Sequence, residues 1–277
     1  MFRHTTAVAA GAASVALLLA ACGGGSSSSG DGASGGGSIK IGIKFDQPGL
    51  GLKSGNDYTG MDVDVAKYVA KELGYEPGNI SWIQAPSKQR ETLIKSGQVN
   101  MVVATYSITD ARKKEVSFAG PYFVAGQSVL VRSDSDISSV DALKGKKVCS
   151  VTGSTSVKNL EEKVSGLVPQ QFDTYSKCVE ALSSGAIDAL TTDDTILAGF
   201  ANQDAYKGKF KLVGGTFSTE NYGIGLKKGD TAMCNKVTDA IKKMIDDGSW
   251  KKIVEDNLGT DYKYDTAKNP PTPAACS

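Results

Sequence analysis

The stretch Asn100–Phe123 constrains the fold of this chain more than any other part. It opens with the apolar run Met101–Ala104, which predicts a short buried strand. Residues with hydroxyl groups follow the strand, and Thr109 is placed to cap a helix that carries Arg112 in its first turn. An arginine fork beside hydroxyls and free backbone N–H groups predicts a carboxylate site, and a surface arginine after a turn is the alternative.

The same stretch resembles the signature of extracellular solute-binding proteins of family 3, the polar amino-acid type, which deliver amino acids to ABC importers. The matching residues are Ser107-Ile108-Thr109-Asp110-Ala111-Arg112 and Val116-Ser117-Phe118-Ala119-Gly120-Pro121-Tyr122. The resemblance covers about residues 39–260. It implies an α/β fold of the type II periplasmic-binding-protein kind, with two lobes, a hinge between them and a free amino acid in the cleft. It also implies that Arg112 clamps the ligand α-carboxylate.

The N-terminus is typical of a lipoprotein signal peptide. Arg3 and His4 form a short basic region, and the apolar segment 7–21 is too short to stay in a bilayer as a spanning helix. The segment ends in Leu19-Ala20-Ala21-Cys22, a lipobox whose Cys22 takes the lipid. We therefore expect residues 1–21 to be removed and residues 22–38 to form a lipidated Gly/Ser tether that anchors the protein outside the cell membrane. An ordinary signal peptide that contains a cysteine is the alternative.

The composition argues against several classes of function. Removing Arg3 leaves 30 of the 31 basic residues against 30 acidic ones, so no basic excess indicates a nucleic-acid partner. His4 is the only histidine and is predicted to leave with the signal peptide. The remaining chain then lacks the commonest general base, and Ser-His and Cys-His nucleophile pairs are excluded. We expect a monomer that is not an enzyme and has no catalytic residue, cofactor or metal.

The resemblance also sets the lobe boundaries. The first lobe is predicted to comprise residues 39–126 and 219–277, where the second part includes a Pro-rich tail, and the second lobe residues 127–218. A weak internal repeat favours two lobes of similar design. Leu93–Asn100 and Ala181–Asp188 each contain a helix end and a glycine, and each precedes a strand and a polar loop. Such loops would lie at the carboxyl ends of parallel strands, where α/β sheets bind ligands.

One loop of the second lobe is predicted to complete a carboxylate cradle opposite Arg112. Gly153 lies in a turn after a strand, and Ser154, Thr155 and Ser156 follow at a helix N-terminus. This arrangement can bind an anion. Plain helix capping by Ser154 or Ser156 is the alternative, and the resemblance favours the cradle.

A second loop supplies acidic groups. The resemblance places an aspartate against the ligand α-ammonium, and Asp193 is the match, whereas Asp194 is expected to cap the next helix. Two further acids, Asp62 and Asp64, fall in the first turn of a predicted helix over Met61–Leu73. We interpret them as ordinary partners of the helix dipole.

The ligand side chain is expected to meet a cation. Lys44, at the end of the first predicted strand, lies where the resemblance places contacts with the ligand side chain, and Arg90 is the second option. Ser107, Thr105 and Tyr106 complete the predicted ligand-binding set. The stretch Ile43-Lys44-Phe45-Asp46-Gln47-Pro48-Gly49-Leu50-Gly51 resembles that of glutamate-binding lipoproteins of Gram-positive uptake systems. L-Glutamate is therefore the expected ligand, with glutamine, aspartate or another polar amino acid as alternatives.

Cys22 aside, four cysteines remain, and they allow three disulfide connectivities. Export permits disulfides. By the lobe assignment that the resemblance implies, Cys149 and Cys178 share the second lobe, and Cys234 and Cys276 share the first. A bridge between lobes would lock the hinge, so we predict Cys149–Cys178 and Cys234–Cys276.

Two other functions stay open. Some relatives of this fold are dehydratases, which need an acid or base in the cleft. A tethered sensor domain that binds an amino acid without transport is the other. The expected partners of the importer component are the amino acid and the permease subunits in the membrane.

Overall fold

A computed structural model of the protein describes residues 37–259 and 262–277. The predicted signal peptide, the lipobox with Cys22 and all but the last two residues of the predicted tether lie outside the described residues. In the described part of the chain, no helix has the length and apolar character needed to cross a membrane.

The strands, in chain order, are β1 (Ile39–Ile43), β2 (Asp46–Gln47), β3 (Gly51–Ser54), β4 (Asp57–Thr59), β5 (Ile80–Gln84), β6 (Met101–Val102), β7 (Ser117–Ala125), β8 (Gln127–Arg132), β9 (Val148–Val151), β10 (Gln170–Phe172), β11 (Ala189–Asp193), β12 (Phe210–Val213) and β13 (Glu220–Leu226). The helices are α1 (Met61–Glu72), α2 (Arg90–Lys95), α3 (Asp110–Glu115), α4 (Thr155–Lys163), α5 (Tyr175–Ser183), α6 (Asp194–Ala201), α7 (Thr231–Asp246) and α8 (Ser249–Leu258). Short 3-10 turns span Pro77–Asn79, Ser87–Gln89 and Asp141–Leu143.

These strands form two five-stranded sheets and one small antiparallel sheet. The first sheet has the order β5-β1-β6-β13-β7, and the second has the order β10-β9-β11-β8-β12. The small sheet contains β2, β3 and β4. The chain passes from the first large sheet to the second between β7 and β8 and returns between β12 and β13. Each large sheet therefore has its own run of chain, as a two-lobed protein requires.

Parallel strand pairs form one side of each large sheet. β1 pairs in parallel with β5 and β6, and β9 pairs in parallel with β10 and β11. The apolar residues of these strands are buried, for example Ile39, Ile41 and Ile43 of β1. Because successive side chains of a strand point to opposite faces, these three isoleucines cover one face of β1, and Lys40 is exposed on the other.

The internal repeat seen in the sequence is present in the structure. α2 ends before Gly97, and α5 ends before Gly185, and both glycines have left-handed φ angles, 70° and 78°. A residue with a Cβ is disfavoured in this conformation, so glycine ends each helix and turns the chain toward a strand of the sheet.

The strand predicted over Met101–Ala104 is shorter than expected. β6 ends at Val102, and Thr105 has a φ of 43°, a left-handed conformation that is uncommon outside glycine. The carbonyl of Ala104 accepts a hydrogen bond from Arg90 Nη1 at 3.0 Å and is thus used by a side chain instead of a neighbouring strand. The chain therefore leaves the sheet early and turns into the cleft.

Both predicted disulfides are confirmed. Cys149 of β9 is bonded to Cys178 of α5, and Cys234 of α7 is bonded to Cys276 of the tail. The first closes a loop of about 30 residues, for which the chain-entropy model gives roughly 3–4 kcal/mol of stabilisation. The Pro-rich tail is also held by backbone pairing between Gly120 and Ala274.

Candidate functional site

A small space lies where the segments after β5 and β6 meet the segments after β9, β10 and β11. Its free volume is about 10 Å³, roughly the room that one water molecule takes. The lining residues are Ser87, Arg90, Thr105, Ser107, Arg112, Ser154, Thr155, Ser156, Tyr175, Asp193 and Ile196. Ten of these eleven lining residues are polar or charged, so the lining suits a polar ligand.

Of the nine predicted ligand-binding residues, seven line this space. They are Arg90, Thr105, Ser107, Arg112, Ser154, Thr155 and Asp193. Lys44 lies directly behind the wall, where its Nζ donates to Ser87 Oγ at 2.8 Å. Tyr106 is fully buried and does not line the space.

Arg112 is held by both sides of the cleft. The predicted cap is present, because Thr109 Oγ1 accepts a hydrogen bond from the Arg112 backbone N–H at 3.2 Å. Nη1 donates to the carbonyl of Ser107 at 2.8 Å, and Nη2 donates across the cleft to the carbonyl of Gly153 at 3.0 Å. Glu91 lies 3.5 Å from Nε. Burial, with a smaller effect of the nearby Arg90, lowers the Arg112 pKa to about 10, so the group stays charged at neutral pH.

Two more cations, Arg90 and Lys44, are buried beside Arg112. Arg90 is 1% exposed, and its guanidinium donates to the backbone carbonyls of Ser87, Ala104 and Thr105. Lys44 is 4% exposed, and burial and the neighbouring Arg90 lower its pKa to about 7. Within residues 37–259 and 262–277, neither cation forms an ion pair with a carboxylate. Buried charges are normally paired, so this wall has an unmatched need for negative charge.

Asp193 faces these cations from the second sheet. Its Oδ2 accepts a hydrogen bond from the Tyr222 hydroxyl at 2.6 Å, but the buried Oδ1 has no partner among the described residues. Burial, with a further contribution from Glu220, raises the pKa of Asp193 well above its usual range. A cationic group placed at Oδ1 would satisfy this atom and restore the charged form.

The hydroxyls at the start of α4 are available to the cleft. Ser154 occupies the N-cap position, but neither it nor Ser156 caps the helix through its side chain. The alternative interpretation, in which the Ser154 or Ser156 side chain simply caps α4, is therefore wrong. Thr155 Oγ1 lies 3.5 Å from Ser107 Oγ and donates to Glu220 Oε2 at 2.9 Å, so it joins the two sides of the cleft.

Asp194 does not cap α6 as predicted. The N-cap is Asp193, and Asp194 is the first helical residue. Asp194 Oδ1 accepts from the backbone N–H of Gly126, where the chain crosses between sheets, and Oδ2 accepts from the Tyr262 hydroxyl. Adjacent acids point to different places, one into the cleft and one toward the crossing.

Asp62 is more than the partner of the helix dipole that the sequence predicts. It is fully buried, and its Oδ2 accepts a hydrogen bond from the Thr105 backbone N–H at 2.8 Å while Oδ1 accepts from the Tyr122 hydroxyl at 2.6 Å. Burial raises its pKa to about 6. Asp62 thus holds the left-handed turn at Thr105. Its place on the apolar stripe with Val65 and Val69, at i+3 and i+7, is the signal that could have revealed this.

Other residues were not predicted at all. Ser87, Tyr175 and Ile196 line the space. Behind them, Glu220 accepts hydrogen bonds from Ser218 and Asn159 at 2.7 Å each. Ser87, Tyr175 and Ile196 come from segments without a distinctive motif, so only the fold brings them to the cleft.

The sides of the cleft also touch outside this space. Lys88 Nζ lies 2.6 Å from Asp173 Oδ1, and Asp46 Oδ2 accepts from the backbone N–H and hydroxyl of Ser176, both at 3.2 Å. Gly199 packs so close to the Pro48 carbonyl that a Cβ would lie 2.1 Å from its oxygen. The cleft is therefore closed.

Comparison with known proteins places this site in a family. The model of bacterial extracellular solute-binding proteins, family 3, matches residues 39–260. The glutamate-binding protein GluB of Corynebacterium glutamicum is 46% identical over 237 residues, which are 81% of this chain and 80% of the relative. The glutamine-binding protein GlnH of Bacillus subtilis is 40% identical, over 78% of this chain and 79% of the relative.

Solved structures agree with the sequence comparison. An ancestral arginine-binding protein bound to glutamine matches with a TM-score of 0.74 and 35% identity, covering 80% of this chain and 98% of that one. The predicted two-lobed α/β fold of the periplasmic-binding-protein kind is confirmed. The chain belongs to the bacterial extracellular solute-binding proteins of family 3.

Proposed function

We propose that the protein binds L-glutamate in the closed cleft and serves an amino-acid ABC importer as its extracytoplasmic binding component. The observation that carries the proposal is the buried pair Lys44 and Arg90, two cations without a carboxylate partner among the described residues. Leaving a buried charge unpaired costs several kcal/mol. A ligand with a side-chain carboxylate supplies the missing charge.

The remaining groups fit the amino-acid end of such a ligand. Arg112, with the hydroxyls of Ser107 and Thr155 beside it, is suited to the α-carboxylate. The free Oδ1 of Asp193 is suited to the α-ammonium. Glutamate carries two carboxylates and one ammonium, which corresponds to this arrangement of cations and anion.

The alternatives differ in how they meet Lys44 and Arg90. Glutamine is supported by the relatives named for it, but its amide has no charge to offer the two cations. An arginine ligand would add a third positive group to this wall. Aspartate has the right charges, but the relatives at 46% and 45% identity are named for glutamate. Glutamate is therefore preferred.

The lobes proposed from the sequence, residues 39–126 with 219–277 and residues 127–218, fit the division into two sheets. Their closure on the ligand would use the cross-cleft contacts of Arg112 with Gly153 and of Lys88 with Asp173. The closed form would then dock on a permease in the membrane. Hinge closure of this kind is common in binding proteins.

We further infer that the protein is not an enzyme. His4 is the only histidine of the chain and lies in the proposed signal peptide. One structural neighbour is an ancestral amino-acid-binding protein described as a precursor of cyclohexadienyl dehydratase, at 29% identity. Incubating the protein with prephenate-like substrates and finding no turnover would support the binding role.

Calorimetry with a panel of amino acids tests the proposed ligand. We expect glutamate to bind tens- to thousands-fold more tightly than glutamine, because 1.4 kcal/mol corresponds to about a factor of ten and an unpaired buried charge costs more than this. Aspartate and arginine complete the panel. Binding of glutamine or arginine as tight as that of glutamate would refute an acidic ligand.

The lipid anchor is proposed from the lipobox, and it has its own test. Cys22→Ala removes the thiol that takes the lipid, so the protein should move from the membrane fraction to the soluble extracytoplasmic fraction. Cell fractionation with immunoblotting measures this, and Ser26→Ala in the proposed tether is the matched control. A Cys22→Ala protein that stays with the membrane would place the anchor elsewhere.

A further inference from the structure

The ring of Tyr106 is shared by two arginines of the cleft. The guanidinium carbon of Arg90 lies over the ring at 4.0 Å from its centroid, and that of Arg112 lies over it at 5.0 Å. Tyr106 itself is fully buried and does not line the ligand space. Its contacts with the site therefore run through the two cations.

Two guanidinium groups so close together repel each other. The repulsion is visible in Arg112, whose pKa is lowered first by burial and next by Arg90. An aromatic face attracts cations through its quadrupole, and the attraction is stronger where water is excluded. The Tyr106 ring thus offsets repulsion that would otherwise drive one arginine out of the wall.

The ring, and not the hydroxyl, is what this site uses. The Tyr106 hydroxyl is buried without a hydrogen-bond partner among the described residues. The ring packs against Phe118 with centroids 4.9 Å apart and an interplanar angle of 67°. Gly225 makes room for it, because a Cβ there would lie 2.7 Å from a ring carbon. Two strands, β7 and β13, thus fix the ring beside the arginines.

The two arginines depend on the ring to different degrees. Arg112 has a carboxylate neighbour, Glu91, and a carbonyl partner across the cleft, Gly153. Arg90 has only backbone carbonyls as hydrogen-bond partners among the described residues, and it lies closer to the ring. Loss of the ring should therefore affect Arg90 more.

We propose that Tyr106 is a positioning residue that keeps Arg90 beside Arg112 and thereby sets the preference for a ligand with two carboxylates. This rests on the proposed function for the identity of the ligand. Without the ring, Arg90 turns away from the cleft and the second carboxylate loses a cation. A ligand with one carboxylate loses less, because Arg112 keeps its other contacts.

Calorimetry with glutamate and glutamine on a series of ring variants tests this proposal in the full chain. Tyr106→Phe keeps the ring, and the glutamate-to-glutamine affinity ratio is expected to stay within about threefold of wild type. A 4-fluorophenylalanine at position 106 places fluorine where tyrosine has its hydroxyl, so it keeps the shape but weakens the quadrupole, and we expect the ratio to fall about fivefold. Tyr106→Leu removes the ring, and the ratio should fall at least as far.

Tyr206→Leu is the matched control, because it removes a ring that packs on Phe210, 5.3 Å away, in the other half of the protein. We expect this variant to keep the ratio of wild type. Thermal melting of each variant reports folding. The fluorinated residue keeps the test decisive even where Tyr106→Leu fails to fold, because fluorine in place of the hydroxyl changes the electrons of the ring with little change in its volume.

The outcomes separate this proposal from the proposed function. The measurement on the wild-type protein tests the identity of the ligand. Equal affinities for glutamate and glutamine would overturn both the proposed function and the role of Tyr106. A wild type that prefers glutamate, with an unchanged ratio in the fluorinated and leucine variants, would overturn only the role of Tyr106. An equal loss of affinity for glutamate and for glutamine in these variants would make Tyr106 a merely structural residue. That result would also overturn its proposed role in ligand preference.

Discussion

Replacing Arg112 with alanine is expected to weaken glutamate binding by two or more orders of magnitude and to leave the fold intact. A hydrogen bond to a charged group contributes about 1.5–3 kcal/mol, and the fork can make two to the α-carboxylate. The substitution also removes the bond across the cleft to the Gly153 carbonyl. Calorimetry measures the affinity, and thermal melting checks the fold.

Two variants sharpen this test. Arg112→Lys keeps the charge but not the planar fork, so it should recover only part of the affinity. Arg132→Ala, in β8, removes an arginine that also donates to carbonyls, those of Leu182 and Ile187, and should leave binding as in wild type. An Arg112→Ala protein with unchanged affinity would remove Arg112 from the site. By the same reasoning Asp193→Ala should cost a similar factor through the α-ammonium.

Replacing Lys44 with methionine is expected to flatten the preference for glutamate over glutamine. Methionine fills a similar volume but carries no charge, so the γ-carboxylate loses a cation while the α-groups keep theirs. A broken buried pair costs about 3–5 kcal/mol, and less near solvent. The ratio of the two affinities should therefore fall by tens- to a thousandfold. Lys53→Met, on exposed β3, is the matched control and should keep the ratio.

Arg90→Met decides between the two candidate cations. Selectivity that survives Lys44→Met but is lost in Arg90→Met would assign the side-chain carboxylate to Arg90. Assignment of the side-chain carboxylate to Lys44 or to Arg90 is consistent with an acidic ligand in either case. Selectivity that survives both substitutions would show that neither cation binds the γ-carboxylate.

The pH dependence of binding gives Lys44 a second readout. Its pKa is lowered to about 7 by burial and by Arg90, while Asp46 and Asp62 act in the opposite direction. A γ-carboxylate would raise this pKa, so glutamate should bind fully below pH 7 and more weakly as the pH rises through the raised pKa of the complex. Calorimetry in buffers of different ionisation enthalpy should detect proton uptake above pH 7, and Lys44→Met should abolish it.

Several features of this protein were predictable because their causes are local. The cap at Thr109 and the first-turn Arg112 lie three residues apart, and helix capping acts over that distance. The glycines after α2 and α5 end their helices because glycine, which has no Cβ, readily adopts the left-handed conformation found there. The disulfides followed once the cysteines had been assigned to lobes.

Other features depend on partners far away in the sequence. The sequence predicts only a dipole partner at Asp62, because its hydrogen-bond donors, Thr105 and Tyr122, lie 43 and 60 residues further on. The same contact explains why the strand at Met101 ends early, since Asp62 and Arg90 both bind backbone groups that a strand would use.

The amino-acid sequence by itself determined the family, the two-sheet fold and most of the polar residues around the cleft. Only the tertiary structure decided how their charges are matched: Lys44 and Arg90 without a carboxylate, Asp193 with a free oxygen, and Tyr106 behind the arginines instead of in the wall. The physical reason is that propensity and motif act between neighbours along the chain. Burial and charge depend on which distant segments close around the same space.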